Sequence, residues 1–393
     1  MKTMKWKFYS LAFVAGMSIL TACSSDDNND NDGNDGNGNG NEIENGTILK
    51  GTITSDVTLA AGNTYKLSGE YIVEEGATLH IEEGVKIIAV YDDIADYILV
   101  KQGGKINAVG TSDKPIVMTS EKEEPGAWGG IHICGRAHTN AEGGKGSSEI
   151  GGAVYGGNDD ADNSGTLQYI RLEYTGFAFD EEHEANGISF YGVGNGTIVD
   201  HCQAYKGSDD GFEFFGGSVN VSNLVAVSCS DDSFDWTEGW NGKGTNLVAY
   251  QEAESTLGYD CDCLMECDNN GSNNAATPVA HPVLKNLILV GNGGSKQGIR
   301  LRAGTEVEID NAKVCGKGQP LTVETALTEN ALKNGTSKLT NITLTAELSS
   351  KEGIYTHADF IAVTSNKVNA NLSYSSFEDI RKECSWMNGS WVK

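Results

Sequence analysis

The chain has 393 residues and a formal net charge of −27 at pH 7, with 50 Gly and 5 Pro. The charge disfavours nucleic acid and anionic membrane surfaces as partners, because both would be repelled. It permits divalent cations and neutral or cationic ligands, and it also suits a surface whose charge only maintains solubility. The length would admit two or three globular domains, but the internal repeats favour one elongated solenoid.

Residues 1–23 have the organisation of a lipoprotein signal peptide. Three lysines stand within the first seven residues, and residues 11–20 form an apolar stretch too short for a permanent membrane span. Leu20-Thr21-Ala22-Cys23 resembles a bacterial lipobox, whose cysteine is diacylated. We therefore predict lipidation of Cys23 and membrane attachment through this lipid anchor only. An ordinary secretory signal is the alternative.

Residues 24–45 consist almost entirely of Ser, Asp, Asn and Gly. Nothing in this stretch could be buried, so the composition predicts a disordered acidic tether. Its start, Ser24-Ser25-Asp26-Asp27, resembles the export tag that directs lipoproteins of the Bacteroidota to the outer face of the outer membrane.

Short alternating segments separated by Gly and Asn fill residues 46–319, and several recur at intervals of 22 to 25 residues. Asp209-Asp210-Gly211-Phe212-Glu213-Phe214 returns as Asp231-Asp232-Ser233-Phe234-Asp235-Trp236. Gly258-Tyr259-Asp260-Cys261 is predicted to be the next copy of Ser233-Phe234-Asp235-Trp236. A period in the twenties without helical spacing is typical of a β-solenoid.

An asparagine opens successive repeats, before residues that alternate between apolar and polar. The five copies begin at Asn223, Asn246, Asn286, Asn311 and Asn341. Asparagine tolerates a left-handed corner and its side chain hydrogen-bonds to the same group one coil away, which predicts an asparagine ladder. The residues that follow predict an inward apolar column of Ile170, Cys202, Leu224, Leu247 and Leu287.

These patterns predict an all-β fold, a right-handed parallel β-helix over residues 46–319. Two irregular stretches, residues 136–166 and the segment between Cys267 and His281, interrupt the period and are expected to be loops that carry function. Residues 320–393 are predicted to hold the last coils and a C-terminal cap. Helices are expected at 323–334 and 377–387.

Several runs resemble a broad family of Bacteroidota surface lipoproteins. They are Gly103 to Thr111, Trp128-Gly129-Gly130, Tyr155 to Asp160, Gly165 to Tyr174 and Ser208 to Gly217. The resemblance covers roughly residues 46–316, and it implies a parallel β-helix at the cell surface of the outer membrane. It implies no general activity.

The sharpest chemical feature is a predicted outward column of carboxylates, Glu213, Asp235 and Asp260, followed by Arg300. At a strand spacing of about 4.8 Å, two carboxylates repel by roughly 3 kcal/mol if the effective dielectric constant is about 20. Such a column favours a calcium site or a glycosidase pair. The alternative is a solvated acidic face that Arg300 and salt neutralise.

Three further features are candidates for ligand binding: the stacked aspartate pairs, Trp240 and Arg300. Asp209-Asp210 stacks on Asp231-Asp232, and the first pair resembles part of the polygalacturonase motif, although other motifs of that family are missing. Corner aspartates also commonly cap turns. Trp240 stands at a corner, where its ring would stack on a sugar or pack on the neighbouring corner.

Cys261, Cys263 and Cys267 do not have a standard zinc spacing. They are expected to be small core residues, and a Cys263–Cys267 disulfide is the alternative in an exported protein.

The sequence favours a monomeric, surface-anchored binding or adhesion protein with a glycan or host-matrix ligand, and calcium is the one cofactor it suggests. A polysaccharide-active hydrolase or lyase and a structural spacer are the alternatives.

Overall fold

The computed structural model describes residues 41–92, 94–179 and 183–393. The predicted signal peptide, the lipidated Cys23 and most of the tether lie outside the described residues. Within the described part, no helix is both long enough and apolar enough to cross a membrane.

Strands dominate the described residues. They are β1 (Asn41–Ile43), β2 (Ile48–Ile53), β3 (Val57–Leu59), β4 (Thr64–Val73), β5 (Thr78–Ile81), β6 (Lys86–Ala89), β7 (Tyr97–Val100), β8 (Lys105–Val109), β9 (Ile116–Ser120), β10 (Ile131–Cys134), β11 (Gly146–Ser147), β12 (Val154–Tyr155), β13 (Gly165–Glu173), β14 (Ile188–Tyr191), β15 (Ile198–Tyr205), β16 (Phe212–Phe215), β17 (Asn220–Val227), β18 (Phe234–Thr237), β19 (Lys243–Tyr250), β20 (Met265–Cys267), β21 (Val283–Val290), β22 (Gln297–Leu301), β23 (Glu308–Cys315), β24 (Gln319–Val323), β25 (Lys338–Leu344), β26 (Ser349–Ser350) and β27 (Lys367–Val368). The α-helices are α1 (Glu254–Leu257), α2 (Ala326–Asn334), α3 (His357–Ala362) and α4 (Phe377–Glu383), with 3-10 turns at Glu142–Gly144 and Ser385–Met387.

Of the described strands, 25 form one continuous sheet whose strands pair in parallel, each with the strand one coil away. A typical coil has three strand segments. The first part of β17 belongs to column 1, its second part belongs to column 2, and β18 belongs to column 3. The fold is the predicted right-handed parallel β-helix.

A single left-handed residue bends each long strand between columns 1 and 2. The φ angles of Asn223, Asn246, Asn286 and Asn311 are 55°, 59°, 60° and 63°, a region that asparagine tolerates better than most residues. Their side chains form the predicted ladder. The Nδ2 of Asn246 donates to Asn223 Oδ1 at 2.8 Å, that of Asn286 to Asn246 at 3.0 Å, and that of Asn311 to Asn286 at 2.9 Å.

The ladder ends where other acceptors replace the amides. Asn341 keeps the left-handed φ of 56°, but its Nδ2 donates to Asp310 Oδ1 at 2.6 Å. At the other end, Asn223 donates to Asp200 Oδ1 at 2.7 Å. His201 occupies the next corner upstream, with φ 53°.

The lumen is apolar and continuous along the coils. The predicted inward column from Ile170 to Leu287 is fully buried and in register. In column 3, aromatic rings stack between coils: the Phe190 and Phe214 centroids lie 5.0 Å apart, and those of Phe212 and Phe234 lie 5.6 Å apart. Apolar residues recur at the same position of successive coils, so each coil packs on the next. The stacked coils therefore form a continuous core by themselves.

The predicted register is wrong for one coil. The strand after β18 in column 3 is β20, in which Glu266 pairs with Asp235 and Cys267 pairs with Trp236. The chain first makes an extra turn that contains α1, ended by left-handed Gly258, so Tyr259, Asp260 and Cys261 fall outside the strand. The spacing between paired residues is 31 residues from Asp235 to Glu266, against 22 from Glu213 to Asp235, so about nine residues are inserted here. The short sequence similarity did not reveal this insertion.

The C-terminal region has both expected helices, with shorter bounds. Strands β24 to β27 extend the columns past residue 319. Leu332 of α2 and Phe360 of α3 pack on the core of the last coils, as a cap would. Helix α4 instead lies on the outward side of column 2, where Ile380 and Cys384 join Val248 and Ile288 in a separate apolar cluster.

We predict that Asn246→Leu lowers the free energy of unfolding by about 1–3 kcal/mol, because it leaves polar groups of two neighbouring coils without a partner. Chemical denaturation measures the difference. Asn246→Gly, which keeps the left-handed corner, separates the lost hydrogen bonds from backbone strain, and exposed Asn388→Leu is the matched control. Unchanged stability in both Asn246 variants would show that the ladder contributes nothing.

Candidate functional site

An acidic cleft of about 200 Å³ lies on the outward side of column 3. Its lining consists of carboxylates and one amide: Glu149, Glu184, Asp209, Asp210, Glu213, Asp231, Asp235 and Asn186. Four separate parts of the chain supply these groups, namely the 136–166 loop, the loop before β14 and two successive corners with their strands.

The floor of the cleft is the outward row of column 3. Ser189, Glu213 and Asp235 pair directly in neighbouring strands, and Glu266 and Arg300 continue the row. The predicted stacking of Glu213 on Asp235 is therefore confirmed. The predicted place of Asp260 is wrong, since Glu266 occupies it. Asp260 is exposed and accepts a hydrogen bond from Asn292 Nδ2 at 2.7 Å.

The two aspartate pairs stack as expected, but their members differ in role. Asp210 Oδ1 accepts the backbone N–H of Asp232 at 2.8 Å, and Asp232 Oδ1 accepts that of Cys263 at 2.6 Å. These two residues cap the corner one coil further on. Asp232 does not line the cleft, whereas Asp209, Asp210 and Asp231 do.

The 136–166 loop forms one wall of the cleft through Glu149. Its Ile150 and Tyr155 belong to an apolar cluster with Leu99 and Tyr191 on the outward side of column 3. This packing places Glu149 over the cleft, where Tyr191 OH donates to Glu149 Oε2 at 3.1 Å. We expected the 136–166 loop to carry function, but no sequence pattern indicated Glu149 in this loop, or Glu184 and Asn186 in the loop before β14, because irregular loops have no register.

The basic residues of this face are already paired downstream of the cleft. Arg300 Nη1 lies 2.8 Å from Glu266 Oε1, and its Nη2 lies 3.3 Å from Glu324. Arg302 bonds to Asp268 at 2.7 Å and also to Glu266. Arg300 thus neutralises Glu266 rather than Asp260, and its predicted ligand-binding role would require these ion pairs to open.

The remaining predicted features belong to the interior. Trp240 is 1% exposed and stacks on Phe214 with centroids 4.1 Å apart, so its ring is not available to a sugar. Cys261, Cys263 and Cys267 are buried free thiols. Cys267, not Cys261, occupies the core column beside Trp236.

Residues 51–392 match the family model described as a pectate-lyase like beta helix domain. The chain belongs to this family. No curated protein matches it. Among solved structures, the Dettilon tailspike protein is similar with 8% identity and a TM-score of 0.31, over 76% of this chain and 56% of the tailspike chain. A likeness this weak carries no information on function.

In this pectate-lyase like β-helix, the carboxylates of the cleft crowd one another. The oxygens of Asp210, Glu213 and Asp235 come within 4.8 Å of one another, and so do those of Asp209, Asp210 and Asp231. Asn186 Nδ2 donates to Glu213 Oε2 at 2.6 Å. Asp235 Oδ1 is buried without a hydrogen-bond partner among the described residues. Hard divalent cations such as calcium take oxygen ligands of this kind.

Burial is the first cause of the raised pKa values in the cleft, and neighbouring carboxylates are the second. The pKa of Asp209 is raised to about 8 by burial and by Asp231, that of Glu149 to about 7, and that of Asp231 to about 6. Burial, with Glu149 and Asp235 nearby, holds the pKa of Glu213 well above its usual range. Burial and Glu266 do the same to the pKa of Asp235.

We predict that the cation-free protein loses stability as pH rises from about 5 to about 8. Because these carboxyl pKa values are higher in the folded than in the unfolded state, the folded state binds more protons in this range and its free energy of unfolding falls with pH. Melting in EDTA at several pH values tests this. Asp209→Asn should flatten the dependence, and a free energy of unfolding that rises over the range would contradict the prediction.

Proposed function

We propose that this protein is a surface-anchored glycan-binding protein whose acidic cleft holds a divalent cation, calcium by its ligand chemistry. The convergence of seven carboxylates from four parts of the chain on one small cleft, with no Lys or Arg in its described lining, carries the proposal.

The cation follows from electrostatics. Two carboxylates about 5 Å apart repel by roughly 3 kcal/mol at an effective dielectric constant of about 20, and the cleft contains several such pairs. Protonation relieves this repulsion in the cation-free cleft, and a bound cation would relieve it in place of those protons. Asp235, whose buried oxygen lacks a partner, is the central ligand of the proposed site.

The proposed glycan ligand is inferred from the coordination chemistry of a cation bound in this cleft. Calcium takes six to eight oxygen ligands and readily shares them with a bound molecule, so sugar hydroxyls are suitable ligands. Acidic polymers would meet the surrounding negative charge, which favours a neutral or cationic glycan. Membership of a pectate-lyase like family is compatible with a carbohydrate ligand.

A hydrolase is the second candidate, and one observation favours it. Glu213 and Asp235 pair across neighbouring strands with carboxyl oxygens within 4.8 Å, close to the separation of about 5–5.5 Å in retaining glycosidases. Their raised pKa values would suit a general acid. The lyase alternative lacks support, because Arg300 and Arg302 are held in ion pairs.

We predict that millimolar calcium raises the melting temperature and that Asp235→Asn abolishes the increase. Without calcium the same substitution should be neutral or stabilising, since it removes a buried ionisable carboxyl group from the middle of the row. Asp260→Asn is the matched control, because Asp260 lies outside the row and should leave the calcium response intact. A wild-type melting temperature indifferent to calcium would exclude the cation.

The glycan assignment predicts binding on a glycan array in calcium that EDTA removes. Plant and mucin glycans incubated with the protein should not be cleaved. If instead reducing ends accumulate, and both Glu213→Gln and Asp235→Asn stop this while remaining folded, the protein is a hydrolase. Array binding that survives EDTA and Asp235→Asn would separate glycan recognition from the cleft.

The proposed location rests on the lipobox and the acidic tether, which resemble those of Bacteroidota surface lipoproteins. Protease added to intact cells should remove the β-helix from the surface, and Cys23→Ala should release the chain from the membrane fraction. Full protection in intact cells, with digestion after lysis, would place the protein inside.

A further inference from the structure

The C-terminal residues 369–393, which we call the strap, lie along the outward side of column 2. Trp391 is fully buried there, and Ile380, Cys384 and Met387 pack on Val248 and its neighbours. The strap is also fixed by hydrogen bonds. Arg171 Nη1 donates to Ser390 O at 2.6 Å, and the Lys393 backbone N–H donates to Gln203 Oε1 at 2.7 Å.

Between the strap and the asparagine ladder is a cavity of about 290 Å³. One wall consists of the ladder residues Asn246, Asn286 and Asn311, and the strap supplies Glu383 and Trp386 opposite. The base is apolar, with Val248 and Ile288. None of these groups belongs to the acidic cleft, which lies on column 3.

The ladder offers unused hydrogen-bonding capacity toward this cavity. Each asparagine amide has two N–H donors and two acceptor lone pairs, and the ladder uses one donor per residue. Asn286 and Asn311 are exposed. The amides repeat at the coil spacing of about 4.8 Å, which suits the hydroxyl groups along one edge of a sugar ring.

The charged groups of the cavity compensate each other. Lys313 Nζ lies 2.5 Å from Glu383 Oε1, and Tyr374 OH donates to Glu383 Oε2 at 2.8 Å. The lining therefore has one cation and one anion in a fixed pair, unlike the uncompensated carboxylates of the cleft. Such a site favours a neutral ligand with many hydroxyl groups over a cation or an acidic sugar.

We propose that this cavity binds one neutral pyranose unit, with Trp386 against the apolar face of the ring and the ladder amides along its hydroxyl edge. Trp386 is half-buried and lies 6.1 Å from Trp391 between ring centroids. An aromatic face combined with amides and an ion pair matches a ring that is apolar on its faces and polar around its edge. The site needs no metal, so this proposal can be tested independently of the cation proposed for the cleft.

The test uses the purified full chain in EDTA, which removes any contribution from a cation. Methyl glycosides of glucose, galactose, mannose and N-acetylglucosamine are titrated by isothermal calorimetry and by saturation-transfer NMR. At least one should bind saturably. Trp386→Ala should weaken binding about tenfold or more, and Trp386→Phe should keep part of it.

Two lysine variants provide a matched comparison that leaves Trp386 in place. Lys313→Met should weaken binding severalfold, whereas Lys338→Met, which removes a similar strand lysine paired with Glu308 at 2.7 Å outside the cavity, should not. Circular dichroism confirms folding, and if Trp386→Ala unfolds, the lysine pair decides. Absence of saturable binding by every glycoside, or equal binding by Lys313→Met and Lys338→Met, overturns the proposal.

Discussion

In-register stacking of parallel coils is the constraint on which the rest of this structure depends. It places residues that share a position in the repeat about 4.8 Å apart, so every residue type that recurs in the sequence becomes a direct contact. Recurring asparagines become a hydrogen-bonded ladder, and recurring phenylalanines become stacked rings. The same geometry forces Glu213 against Asp235, where repetition is unfavourable.

The asparagine ladder and the acidic cleft are therefore two outcomes of one geometry. An amide is both donor and acceptor, so a stack of amides satisfies itself. A carboxylate is only an acceptor when ionised, so a stack of carboxylates needs a proton, a cation or an arginine. Column 3 has a counterpart of each. The carboxyl pKa values in the cleft are raised, a cation is proposed beside Asp235, and Arg300 and Arg302 form ion pairs with Glu266.

Each candidate site also depends on a segment that leaves the repeat. The 136–166 loop encloses the cleft with Glu149, and the strap encloses the cavity beside the ladder with Trp386. The coils supply regularly spaced polar groups, while the irregular segments add a wall to an open face. This division places the acidic cleft and the proposed neutral site on different sides of one scaffold.

The sequence by itself determined the fold, the left-handed asparagine corners, the inward apolar columns and the contact of Glu213 with Asp235, because a short repeat converts sequence position into spatial neighbourhood. Only the tertiary structure showed that Glu266 occupies the position expected for Asp260. The turn that contains α1 shifts the register, and no sequence pattern indicates the length of this shift. The tertiary structure alone buried Trp240 against Phe214 and brought Glu149 and Trp386 over their sites. Those positions depend on how irregular segments pack on coils that are distant in sequence, and such packing leaves no periodic pattern in the sequence.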